Sequence, residues 1–190
     1  MKALVYRSTG SWYTVKDEKG QFYNARIKGV FKIDDDITST NPIAVGDEVT
    51  IEPENVTEGT AIITDILPRK NYINRQSPRV KHQQHIIAAN LDQSLLIATL
   101  KDPRTSQGFI DRFLVVCEMY HVPAVIVFNK IDIYRDKEQE KLKELQEMYA
   151  ALGYKVFRVS VEHKSGLDTL EALLKDRTTL VSGHSGVGKS

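Results

Sequence analysis

Residues 183–190 read Gly183-His184-Ser185-Gly186-Val187-Gly188-Lys189-Ser190 and fit G-x-x-x-x-G-K-[ST] in full. Glycines at this spacing let backbone N–H groups close around phosphate oxygens. The Lys189 ammonium is placed to neutralise β- and γ-phosphate charge, and the Ser190 hydroxyl to bind Mg2+. The run 179–182, just before the motif, reads as a short strand, which is what this loop needs in front of it. The competing reading is a glycine-rich turn that happens to end in Lys-Ser; the strand context argues against it. His184 occupies a variable position of the motif and reads as a loop residue, not a catalyst.

Working back from this loop, strand and helix patterns alternate. Apolar strands are predicted at 94–99, 124–128, 154–159 and 179–182. Helices are predicted at 107–120, 136–152 and 166–174. Such a β-α-β order implies a parallel sheet with helices on both faces, and ligands beyond the carboxyl ends of its strands. Phe109, Phe113, Val116 and Cys117 share one face of the first helix, so Cys117 reads as core rather than as a nucleophile. Directly after strand 124–128 stands Asn129-Lys130-Ile131-Asp132, which resembles the N-K-x-D guanine-recognition signature of GTPases. The chemistry is explicit. The Asp132 carboxylate can accept from the guanine ring N–H and the exocyclic amine, a donor pair that adenine lacks. The Asn129 amide can bond the other side of the base, and the Lys130 stem can cover its face. Ser160-Val161, after the next strand, sits where GTPases carry a Ser-Ala turn that supports the base; Val161 departs from the usual Ala.

The first half is different. Short runs rich in Val, Ile, Thr and aromatics lie at 3–6, 11–16, 22–33, 48–52 and 60–67. Turn signals such as Lys19-Gly20, Gly46-Asp47 and Glu58-Gly59 separate them. Five strands in so short a stretch suit a small OB-type barrel; an SH3-like barrel would give a similar pattern. Trp12, Tyr13, Phe22, Tyr23 and Phe31 are able to stack on bases, although aromatics in so small a barrel are more often core.

The composition bounds the alternatives. With 41% apolar and 27% charged residues, the 190-residue chain can bury a core, which excludes wholesale disorder. No apolar run approaches the roughly 20 residues of a membrane helix, and the N-terminus lacks the apolar region of a signal peptide. The single cysteine excludes an intramolecular disulfide and a cysteine-based metal cluster, and a reducing cytoplasm is the simplest compartment. The overall charge of +1 says nothing about nucleic acid, but its distribution is uneven. Residues 1–65 carry 7 basic and 11 acidic side chains, whereas 66–91 carry five basic residues (Arg69, Lys70, Arg75, Arg79 and Lys81) and no acid. With Pro68 and Pro78 inside it, the polar segment 67–82 reads as a linker with a basic face, the linker itself being placed at 69–88. It is either simply solvated or a phosphate-contacting surface with Tyr72 as a stacking ring.

The order of the motifs is diagnostic. An ordinary GTPase has its P-loop first and N-K-x-D much later; here N-K-x-D ends at 132 and the P-loop begins at 183. This is a circularly permuted order. Behind a small β-barrel it resembles the bacterial ribosome small-subunit-dependent GTPase A family. Thr40-Asn41-Pro42-Ile43-Ala44-Val45-Gly46-Asp47-Glu48-Val49, Leu67-Pro68-Arg69-Lys70-Asn71 and Ala89-Asn90-Leu91-Asp92 also fit that family's pattern. The resemblance implies a multidomain β plus α/β protein. Residues 1–68 would be an RNA-binding OB-type barrel, 69–88 the linker, and 89–190 the first part of a circularly permuted P-loop GTPase α/β domain. It also implies a cytoplasmic, monomeric GTPase using GTP/GDP and Mg2+, which binds the 30S subunit and its 16S rRNA during late maturation and leaves on hydrolysis. The switch segments, the helix after the P-loop and a zinc domain that would carry Zn2+ are not in residues 1–190, so this segment alone is expected to be inactive. Two other functions fit the motifs: a permuted GTPase of the large subunit, which the N-terminal barrel argues against, and a non-enzymatic RNA-binding module with a degenerate nucleotide site. Intact Asn129, Asp132, Lys189 and Ser190 argue against degeneracy.

Overall fold

The computed structural model describes residues 1–28, 42–55, 57–76 and 84–190, with side chains at all of these except 75, 76 and 84. Contacts divide the chain into two compact units, Met1–Asn90 and Leu91–Ser190.

In the first unit five strands close into a barrel: β1 (Lys2–Thr9), β2 (Trp12–Asp17), β3 (Phe22–Ile27), β4 (Glu48–Asn55) and β5 (Thr60–Ile66), in the order β1-β2-β3-β5-β4. The β3–β5 pair is parallel and the others are antiparallel. That order resolves the sequence ambiguity in favour of the OB-type barrel. Side chains alternate along each strand, so Val5, Tyr13, Val15, Tyr23, Ala25, Val49, Ile51, Ala61 and Ile63 point inward and fill the core. Tyr13 and Tyr23 are thereby core residues, whereas Trp12 and Phe22 are about half exposed; Phe31 lies outside the described residues. Strand β3 is Phe22–Ile27, and residues 29–33 of the predicted run lie outside the described residues.

The stretch expected to be a linker contains a hairpin, β6 (Tyr72–Gln76) against β7 (Gln84–Ala89). It is fastened to the barrel unit at the turn before β4. The Ala89 N–H donates to Val45 O (2.9 Å), the Asn90 amide donates to Gly46 O (2.9 Å), and the Lys70 N–H donates to Asn90 Oδ1 (2.9 Å). Gly46 has φ +91°, and a Cβ there would drive into the Ala89 carbonyl, so only glycine permits the approach. Arg69 supports the same turn. Its guanidinium donates twice to the fully buried Asp47 carboxylate (both 2.6 Å) and once to Pro42 O (2.8 Å). The polar composition that suggested a linker thus conceals Ile73, Ala88 and Ala89, which are buried.

The second unit is a four-stranded parallel sheet ordered β10-β9-β8-β11, from β8 (Gln93–Ala98), β9 (Ala124–Phe128), β10 (Lys155–Arg158) and β11 (Thr179–Ser182). Every residue of β8 is buried, as the centre of a sheet covered on both faces requires. Leu96, Ala98, Ile126 and Phe128 face α1 (Gln107–Met119) and α2 (Asp136–Ala151). Leu95, Ile97, Val125 and Val127 face α3 (Leu167–Leu174). Ser106 caps α1, its hydroxyl accepting the Phe109 N–H (3.3 Å). The Tyr149 hydroxyl ties α2 to α1 by donating to Asp111 (2.7 Å). Cys117 is fully buried, and burial pushes its thiol up to about 11, as befits a core residue.

Candidate functional site

In the second unit, the order in which strands are added reverses at β8. β9 and β10 follow on one side, while the last strand, β11, returns to the other. This is the switch point at which open α/β sheets bind ligands. The loops after β9 and β11 carry the two motifs singled out in the sequence.

The phosphate loop is anchored from below by Val187, which is fully buried against Leu95, Ile97, Val125 and Val127. Gly188 has φ +91°, and a Cβ there would collide with the Asn129 side-chain amide. The glycine therefore holds open a cradle between the two motifs. Asn129 crosses it: its amide donates to Val187 O (2.9 Å) in a buried bond that spans 58 residues of chain. The two motifs are thus joined directly. The Asn129 Oδ1 atom is buried without a partner, and one amide hydrogen is still available to a ligand. Lys189 donates to the carbonyls of Gly183 (3.0 Å) and His184 (2.6 Å), so its ammonium sits within its own loop. The His184 ring lies on Phe109 of α1, with centroids 4.0 Å apart, which makes His184 a packing residue of the loop. Ser185, Gly186 and Ser190 are exposed.

Asp132 lies in a short 3-10 turn, Ile131–Ile133. The Ser160 hydroxyl accepts the His163 N–H (3.1 Å) and donates to Asp132 Oδ1 (2.5 Å). That hydrogen bond, which stabilises the charged form, holds the Asp132 carboxyl below the usual carboxylate range; the nearby His163 and Lys130 charges act in the same direction. Asp132 is therefore a fixed, ionised acceptor, as a pair of guanine N–H groups would require. Ser160 is buried and pinned by its backbone pairing with Ser165. The Val161 side chain is 56% exposed, and its carbonyl accepts the Lys164 N–H. Lys130 adopts a left-handed conformation (φ 62°) and its ammonium donates to Asp102 O (2.6 Å).

Two contributors were not visible in the sequence. One is the loop 99–105, which follows β8 and lies between the motifs. It is closed on itself by Thr99 and Thr105: the Thr105 N–H donates to Thr99 O (2.7 Å), the Thr99 N–H to Thr105 Oγ1 (3.1 Å), and the Thr99 hydroxyl to Pro103 O. The other is Tyr134, whose buried hydroxyl links that loop to the guanine motif. Neither has a local signal: Tyr134 meets the Leu100 N–H 34 residues away in the chain, and two threonines six residues apart do not announce a clasp.

The candidate RNA-contacting residues belong to the first unit. Arg69 has its guanidinium committed to Asp47, Lys70 is exposed, and Tyr72 is half-buried on β6. The Arg75 side chain, Arg79 and Lys81 fall outside the described residues. Likewise among the described residues, no cluster of three or more His, Cys, Asp or Glu could hold a metal, and no helix is long and apolar enough to cross a membrane.

A parallel sheet whose N-K-x-D motif precedes its P-loop motif in the chain, following a closed five-stranded barrel, defines a circularly permuted P-loop GTPase fold. Comparison with known proteins gives the family. A model described as RsgA GTPase matches residues 66–190, and one described as RsgA N-terminal domain matches 2–61. Proteins described as small ribosomal subunit biogenesis GTPase RsgA are 50% identical over the whole chain, from Cytophaga hutchinsonii (62% of that protein covered) and from Bacteroides fragilis (60% covered). The crystal structure of YjeQ from Thermotoga maritima superposes with a TM-score of 0.80 at 32% identity, over all of this chain and 62% of that one. YloQ, described as a circularly permuted GTPase, gives 0.73 at 27% identity, over 98% of this chain and 61% of its own. The chain belongs to the RsgA family. It spans about 60% of the length of the curated relatives it matches.

Proposed function

We propose that residues 1–190 form the barrel and the guanine-nucleotide-binding part of a GTPase that acts in maturation of the small ribosomal subunit. The observation that carries this reading is the junction of the two motifs. Asp132 is held ionised by Ser160, and Asn129 is clamped to the phosphate loop through Val187 O. In the bound state Asp132 accepts the guanine N1–H and exocyclic amine. The second Asn129 amide hydrogen is free for an acceptor on the other edge of the base, and Lys130 covers a face. Residues 183–189 wrap the phosphates, with Lys189 exchanging its two carbonyl partners for phosphate oxygens. The Ser190 hydroxyl would hold Mg2+, which would supply charge neutralisation for the phosphates.

The partner is read from the relatives, whose description as small ribosomal subunit biogenesis GTPases supports a 30S target. Contact with 16S rRNA is assigned to the barrel unit and to Lys70, Tyr72, Arg75, Arg79 and Lys81. Arg69 contributes by holding the turn before β4 rather than by touching RNA. The protein is taken to work as a cytoplasmic monomer, and Zn2+ to belong to a domain beyond Ser190. GTP turnover by the full-length protein with purified small subunits tests the reading: acceleration by small but not large subunits supports it, and equal rates with either or neither contradict it.

A further inference from the structure

Tyr134 stands two residues past the guanine motif and outside its signature. Its ring is packed with Leu96, Ala98, Ile126 and Phe128, and only 8% of the residue is exposed. Its hydroxyl is fully used. It donates to Asn129 O (2.7 Å) and accepts the Leu100 N–H (2.8 Å). The Asn129 N–H in turn donates to Ala98 O (2.9 Å), so both backbone groups of Asn129 are fixed, one by β8 and the other by Tyr134. Lys130 adds a second tie between the same two segments through Asp102 O. The orientation of the Asn129 side chain thus depends on a strut that runs from the motif to the 99–105 loop.

We infer that Tyr134 is a positioning residue for guanine recognition: its hydroxyl sets the Asn129 backbone so that the free amide hydrogen meets the N7 and O6 edge of the base. The inference rests on the guanine-binding reading above. On that edge guanine presents only acceptors, so the contact must come from an N–H, and Asn129 has one amide hydrogen uncommitted once Val187 O is bonded. Burial pushes the Tyr134 phenol up to about 12, so it remains protonated, and therefore a donor, throughout the neutral range. Phenylalanine at 134 would keep the ring and its packing while removing both hydrogen bonds.

The test uses the full-length protein, Tyr134→Phe, and two probes, GDP and 7-deaza-GDP, which lacks the N7 acceptor. Wild type is expected to bind GDP about tenfold more tightly than the deaza analogue, the effect of one hydrogen bond whose donor is otherwise left unpaired. In Tyr134→Phe that ratio is expected to fall to about two or less, because a displaced Asn129 no longer senses N7. A residue that merely stabilises the domain would weaken both affinities alike and leave the ratio unchanged; that result overturns the inference. A wild type with no preference between the probes overturns the Asn129 reading, and the inference with it. Both titrations are run on one preparation, with the active fraction fitted as stoichiometry. If the variant melts below the assay temperature, they are run in the cold with a stabilising osmolyte.

Discussion

At Asp132 two requirements meet in one carboxylate: it must stay ionised and it must not rotate. Ser160 meets both, donating to Oδ1 while His163 N–H fixes the hydroxyl from behind. Asp132→Asn replaces one acceptor oxygen with a donor facing the guanine donors. Affinity for GDP should fall by roughly ten- to a hundredfold, with preference moving to xanthosine diphosphate, whose 2-oxo group accepts where the amine donated. Calorimetric titration with the two nucleotides reads this, and unchanged GDP affinity would remove Asp132 from the site. Ser160→Ala has a different signature. A carboxyl held low keeps its charge until the pH falls through its own depressed value. Without Ser160 it protonates earlier on acidification, so GDP binding should be lost at a higher pH than in wild type. A pair of affinity-against-pH curves with coincident acid limbs would contradict the role given to Ser160. The sequence reveals these residues because their chemistry is compact: Asn129 to Asp132 and residues 183–190 each fall within one turn of chain. Tyr134 and the Thr99–Thr105 clasp are illegible there, since a tyrosine or threonine carries no signal until the fold supplies its partner.

At the level of elements, the hairpin of β6 and β7 shows where sequence reading goes astray. A stretch with two prolines and five basic residues looks solvated, yet Ile73, Ala88 and Ala89 are buried and Arg69 reaches back 22 residues to Asp47. By contrast, the barrel strands and the alternating sheet and helices were legible, because side-chain periods of 2 and 3.6 register burial directly. The family-model boundary at residue 66 and the structural division after Asn90 differ by this hairpin, which hydrogen bonding assigns to the barrel unit. Removing the charge opposite a fully buried carboxylate is costly, so Arg69→Ala should destabilise the barrel unit by about 3 kcal/mol. Lys70→Ala, one residue on and exposed, should change stability by less than about 0.5 kcal/mol. Urea titrations of both variants measure the contrast. Equal, small effects would mean that Arg69 is a surface residue available to RNA after all.

The molecule as a whole carries a barrel unit and a second unit whose GTPase motif order is permuted. In that order, the N-K-x-D motif at 129–132 precedes the glycine-rich motif at 183–190. This arrangement is proposed to serve a GTPase gated by the small ribosomal subunit. Multiple-turnover GTP hydrolysis by the full-length protein, alone and with equimolar small or large subunits, tests it most directly. Strong acceleration by the small subunit only is expected, abolished by Asp132→Asn with GTP and recovered by the same variant with xanthosine triphosphate. Acceleration by the large subunit, or none by either while GTP still binds, would contradict it.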